Sequence, residues 1–90
     1  MNLPPKRDLQ LVPQPISLDD LHTGEHAIVN HFNGGRGITG RLASLGFTPG
    51  VELMMTQNFG HGPLIVTVRG TQVALGRGEA ARILVLRREA

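Results

Sequence analysis

The chain has no cysteine, no tryptophan and no tyrosine, and three phenylalanines are its only aromatic residues apart from histidine. Without cysteine there is no disulfide framework, no thiolate metal site and no cysteine nucleophile, and the cytoplasm is permitted. No apolar run approaches the roughly 20 residues of a membrane helix. Met1 to Arg7 leads into Asp8, Gln10 and scattered prolines rather than an apolar stretch, so no signal peptide is expected. A soluble protein follows, one that needs a partner for any work at a membrane. One-signed charge is also scarce, since nine Lys and Arg face seven Asp and Glu for a net charge of +2. Arginine supplies eight of those nine bases, which lifts the pI to 10.5. Among the arginines only Arg87 and Arg88 adjoin. A dispersed set of arginines with few aromatics to stack on bases does not describe a nucleic-acid interface, so none is expected.

What remains is 40% hydrophobic, with twelve glycines and six prolines in 90 residues. That is one domain with a simple core, burying roughly 60 to 65% of its unfolded surface. Pro4, Pro5, Pro13 and Pro15 fall in the first fifteen residues, where proline removes donors and extends its neighbours. Residues 1–15 therefore read as an irregular arm and 16–90 as the folded unit. Ser17-Leu18-Asp19-Asp20 has the form of a helix cap followed by an acid, ending at Gly24. Glu25 to Phe32 alternates, with Ala27 and Val29 on one side and Ile28 and Phe32 on the other. From Gly37 to Leu45 the period lengthens, placing Ile38, Leu42 and Leu45 on one helical face before Gly46 stops the helix. Thr48-Pro49-Gly50 is a turn leading into a strand from Val51 to Phe59. The Gly60-His61-Gly62-Pro63 loop, a strand from Leu64 to Val68, a tight turn at Gly70 and a strand from Gln72 to Leu75 make a meander. A helical turn at Glu79 to Ala81 and a strand from Ile83 to Leu86 complete the chain. Five short antiparallel strands around one short α-helix predict a mainly β, partly open barrel of SH3-like or OB-like kind.

Gly35-Arg36-Gly37-Ile38-Thr39-Gly40 matches the dinucleotide fingerprint in letters. A Rossmann unit needs parallel strands and crossover helices, and the chain beyond residue 50 offers hairpins, so no nucleotide is expected. His22 and His26 are four apart, a metal-binding spacing only on a continuous helix, and Gly24 interrupts it. His22, His26 and His61 are thus candidates for weak Zn or Fe binding, shared between two molecules, and no cofactor is required. Met55 reads as core and Met54 as surface. Ser17 is assigned to a cap and Ser44 to a helix, leaving no nucleophile and base to pair, so no enzyme is expected.

Leu18…Leu21…Gly24…Ala27-x-Val29, then Arg41-Leu42-x-x-Leu45-Gly46-Phe47-x-Pro49-Gly50, then Gly70-x-x-Val73-Ala74-Leu75 and Glu79-Ala80-x-x-Ile83-x-Val85 stand in fixed order. This arrangement, over residues 17 to 86, resembles the ferrous iron transport protein A (FeoA) family. The resemblance implies an SH3-like barrel and a cytoplasmic, non-catalytic accessory role. The implied partner is the membrane ferrous iron transporter with a GTPase domain (FeoB), which the protein would modulate. It also looks like the SH3-like domain of diphtheria-toxin-repressor-type metal regulators. Gly76 and Gly78 depart from the family, which often carries arginine or another large polar residue there. A nucleic-acid-binding barrel and a weak metal-binding module are the competing readings.

Strand alternation supplies a docking candidate. If Leu53, Met55, Val66, Ile83 and Val85 point inward, Met54, Ile65, Leu84 and Leu86 point outward. Two readings of outward apolar residues stand side by side: some lie beneath the helix or the N-terminal arm, or a subset forms a surface for the transporter or for self-association as a homodimer.

Overall fold

Alternate burial along each strand separates the two faces of one six-stranded sheet. The computed structural model describes residues 14–88, so the expected arm at 1–15 lies almost wholly outside the described residues. The strands are β1 (Ile16–Ser17), β2 (His26–Phe32), β3 (Glu52–Gln57), β4 (Leu64–Val68), β5 (Thr71–Leu75) and β6 (Ile83–Arg88). Helix α1 (Arg36–Ser44) joins β2 to β3, and the one-turn helix α2 (Arg77–Ala80) joins β5 to β6. All pairings are antiparallel in the order β1-β6-β2-β3-β4-β5, leaving β1 and β5 as edges of an unclosed barrel. The expected mainly β, partly open barrel with one short helix is what forms. Its sixth strand, β1, is two residues long, too short for any period in the sequence to announce it.

Leu53, Met55, Leu64, Val66, Val68, Ile83 and Val85 are buried on the inner face, and Leu18, Leu21, Leu42, Phe47 and Ala80 cover it. Among the described residues no polar or charged residue is buried. A core without polar groups needs no internal hydrogen-bond network and is held by apolar burial alone.

Two bulges change the expected facing. Val29 stands opposite Val85, but His31 stands opposite Leu84 and Phe32 opposite Ile83, so Asn30 is one residue extra on β2. The insertion reverses the alternation, and Phe32 packs on the core instead of sharing the outer side with Ile28. Thr56 is likewise extra between the pairs Met55–Val66 and Gln57–Ile65, and its Oγ1 lies 2.6 Å from Thr67 Oγ1. β3 ends at Gln57, two residues before the expected Phe59.

At the end of α1 the expected face is also re-made. Leu42 is buried, but Leu45 follows the helix and is 37% exposed. Gly46, at φ +101°, turns the chain back, and the Phe47 N–H donates to the Leu42 carbonyl at 3.0 Å, so Phe47 fills the core where Leu45 was expected. A left-handed φ is what glycine allows and other residues resist. Arg69 and Gly70, at φ +53° and +76°, form the two-residue type I′ turn that matches hairpin twist. Ser17 makes no side-chain cap. It ends β1, and the following residues Leu18–Asp20 form a 3₁₀ turn closed by the Leu21 N–H on the Leu18 carbonyl at 3.1 Å. α2 begins two residues before the expected Glu79, because Gly76 is extended and its carbonyl accepts the Ala80 N–H at 3.0 Å.

Candidate docking surface and loop-end groove

The outer face carries the four apolar residues expected there, and all four are half-buried. Leu84 and Leu86 alternate along β6, and Leu86 stands opposite Ile28 of β2. Ile65 lies on β4, with Ala74 of β5 on one side and Gln57 of β3 on the other. Met54 stands between His26 and Thr67 and borders an open depression of about 290 Å³ with Glu52 and Arg69. Thus Leu84 and Leu86 come together with Ile28, while Ile65 sits on the other half of the sheet. Between the halves run polar groups, including the Arg88–Glu52 ion pair and His26 Nδ1 at 3.4 Å from Glu52 Oε2.

Among the described residues, the most exposed large apolar side chain is one that strand reasoning placed inside β3. Phe59 is 68% exposed, in the loop between β3 and β4. Its neighbour Asn58 fixes that loop. The Asn58 Nδ2 donates to the Asp19 and Leu21 carbonyls at 3.1 and 2.7 Å, while its Oδ1 accepts the Gly60 N–H at 2.9 Å and the Arg77 guanidinium at 2.5 Å. Thr23 adds a reciprocal pair, its Oγ1 accepting the Asn58 N–H at 2.9 Å and donating to the Asn58 carbonyl at 3.2 Å. One amide side chain with every donor and acceptor used ties two loops and the start of α2 into one end of the barrel. The Asn58-x-Gly60 spacing is a turn signal legible in sequence, whereas partners 37 and 39 residues away are not.

An open groove of about 490 Å³ lies at this end, lined by Asp19, Asp20, His22, Thr23, Asn58 and Gly60. His61 is the next residue of the same loop, so His22 and His61 belong to the groove's neighbourhood and His26 belongs to the sheet. The three metal candidates are therefore divided. His22 Nδ1 is 3.8 Å from Glu25 Oε1, beyond hydrogen-bond distance, and His26 faces a different carboxylate, Glu52. Among the described residues no three His, Asp or Glu side chains converge as metal ligands, and a closed zinc site needs four. Gly24, at φ +93°, keeps His22 and His26 off any common helix. Glu25 has another role. Its carboxylate accepts the His22 N–H at 2.7 Å and lies 3.0 Å from Arg87 Nε, and the His22 N–H first, then the Arg87 charge, hold its pKa below the ordinary carboxylate value.

Comparison with known proteins gives these features a family. The FeoA domain family matches residues 16–87. The Fe(2+) transport protein A of Methanocaldococcus jannaschii is 39% identical over 62 residues, 69% of this chain and 74% of that one. A crystal structure of an iron uptake regulatory protein, FeoA, superposes with a TM-score of 0.79 at 31% identity, over 83% of this chain and 100% of the other. The Stenotrophomonas maltophilia FeoA, an SH3 domain protein crystallised with zinc, gives 0.66 at 33% identity, over 78% of this chain and 88% of the other. A manganese-dependent transcriptional repressor shares the fold, with a TM-score of 0.78 at 21% identity over 38% of its length. With an SH3-like sheet, a shared sequence pattern and a match over most of its length, the chain belongs to the FeoA family.

Proposed function

We propose that the protein is a non-catalytic, cytoplasmic accessory of ferrous iron uptake that docks on the membrane ferrous iron transporter with a GTPase domain, FeoB, and modulates it. The observation that carries this reading is the FeoA domain match over residues 16–87, coupled to a relative named for Fe(2+) transport. Two features of the chain support it. Apolar residues on the outer face, Ile65 on one half and Leu84 with Leu86 on the other, offer a surface a protein partner can cover. Reactive chemistry has little to draw on, since the Ser44 hydroxyl donates to the Arg41 carbonyl at 2.6 Å and Ser17 sits in β1. No helix among the described residues is long and apolar enough to cross a membrane, so the membrane role runs through the transporter.

Metal enters this reading as cargo of the transporter. Any zinc or iron held by this chain itself is weak and shared between molecules through His22, His26 or His61, because no one region presents three ligands. The test is uptake of radiolabelled ferrous iron by cells deleted for this chain. Uptake falls in the deletion and returns with the intact chain. Uptake equal in both strains, with the transporter present, contradicts the proposal.

A further inference from the structure

The free edge of β5 has a hydrogen-bonding pattern that fits a copy of itself. Val68 and Thr71 flank the two-residue Arg69-Gly70 turn, and a hairpin of this kind closes with a hydrogen-bonded pair. Alternation then makes Val66–Val73 and Leu64–Leu75 hydrogen-bonded pairs as well. The residues between them, Gln72 and Ala74, turn their N–H and carbonyl groups away from β4. Both residues are exposed, and among the described residues no backbone group outside the sheet bonds to β5. Thr71–Leu75 carries no charge and no proline, the devices that ordinarily protect such an edge.

We propose that the β5 edge is a self-association site, at which β5 of a second copy adds antiparallel about a two-fold axis through Val73. This register is the self-complementary one. It sets Gln72 opposite Ala74 of the second copy and Ala74 opposite its Gln72, so each pair exchanges two backbone hydrogen bonds and all the outward groups are used. Val73 then faces Val73 as the closely spaced pair, and this half-buried residue, packed against the core, is covered by its twin. Sliding the register by two residues leaves half the groups unpaired. Arg69 and Arg77 flank β5 just outside its two ends, so the paired copies bring like charges near the ends of the added ladder, which weakens the dimer at low salt. The inference concerns an edge rather than the outer face and stands whether or not the transporter docking is correct.

The experiment uses the full chain at about 0.5 M salt, where charges are screened beyond roughly 4 Å. Sedimentation from roughly 10 µM to 1 mM spans the range of weak association. Wild type is expected to shift from monomer to dimer. Ala74→Pro removes only an outward N–H, so it should stay monomeric throughout with a melt near wild type. Val73→Cys introduces the chain's sole cysteine at a pair whose Cα atoms lie about 4.5 Å apart, within disulfide reach. It should give a disulfide-linked dimer on mild oxidation, at least tenfold more than Ala43→Cys on the exposed side of α1. Wild type that stays monomeric to the top of the range overturns the proposal, as does a dimer that folded Ala74→Pro leaves intact. Should Ala74→Pro fail to fold, Val73→Cys decides, and cross-linking no greater than that of Ala43→Cys overturns it.

Discussion

The inner and outer faces of the sheet are built from the same strands, yet they obey different constraints. At the centre of the inner face Leu53, Val66 and Val85 are buried and apolar, because an unpaired polar group there has no water to bond, while Thr71 and Arg87 share that face only at strand ends open to solvent. Outward positions mix Met54, Ile65 and Leu86 with Glu52, Thr67 and His26, and most are half-buried. The inner face answers only to stability, so changes there alter folding. The outer face is under less of that demand, and it is on its half-buried apolar residues that the proposed docking draws.

Substitutions should separate the two faces in order of cost. The largest effect is expected on the inside: Phe47→Ala empties a fully buried aromatic site and should lower stability by about 3 to 5 kcal/mol in a denaturant titration. A loss under about 1 kcal/mol would mean that Phe47 is not a core anchor. Asn58→Ala comes next, at about 2 to 3 kcal/mol, because it strands the Asp19 and Leu21 carbonyls together at the loop end. If thermal melts of Asn58→Ala and wild type coincide, the two loops and α2 are held together by something else.

Gly46→Val should cost about 1 to 3 kcal/mol through backbone strain. A Cβ at Gly46 would meet Arg69 and Val68 at ordinary contact distances of 3.7 and 3.8 Å, so the Cβ itself has room but no favourable φ. An unchanged melt would remove the helix boundary placed there. The smallest effect concerns Glu25. Its folded pKa is lowered, so the stability it contributes is present above the ordinary carboxylate pKa and is lost as pH falls through the folded one. Melting temperature should fall as pH drops below the ordinary carboxylate pKa, and Glu25→Gln should flatten that slope. A slope equal in both proteins would assign the acid sensitivity elsewhere.

Legibility in the sequence follows the range of the interaction that decides each feature. Gly46, the Pro49-Gly50 turn and the Gly70 hairpin are decided by one or two residues, and all stand where the sequence puts them. Strand alternation was equally readable where pairing is regular, as in β4. The bulges at Asn30 and Thr56 were not, because an extra residue is set by the opposing strand and leaves no local mark. Phe32 and Phe59 were misplaced for that reason and for the early end of β3. At the candidate site, alternation found Met54, Ile65, Leu84 and Leu86 as outward residues, but it could not show that pairing order puts Ile65 on a different half from Leu86. The Asn58 network depends on contacts between distant segments, and its one local mark, the Asn-x-Gly turn, falls within the span that alternation assigns to a strand.

The account rests on the outer face serving a partner rather than the fold, and Ile65→Asp tests that most directly. A tagged Ile65→Asp chain, compared with wild type for its melt and for co-purification with the ferrous iron transporter from solubilised membranes, should keep a cooperative melt near wild type and lose the transporter. A carboxylate placed in a desolvated apolar contact is costly to bury, which is why one substitution should suffice. An Ile65→Asp chain that folds and still brings the transporter down in wild-type amount would contradict the account.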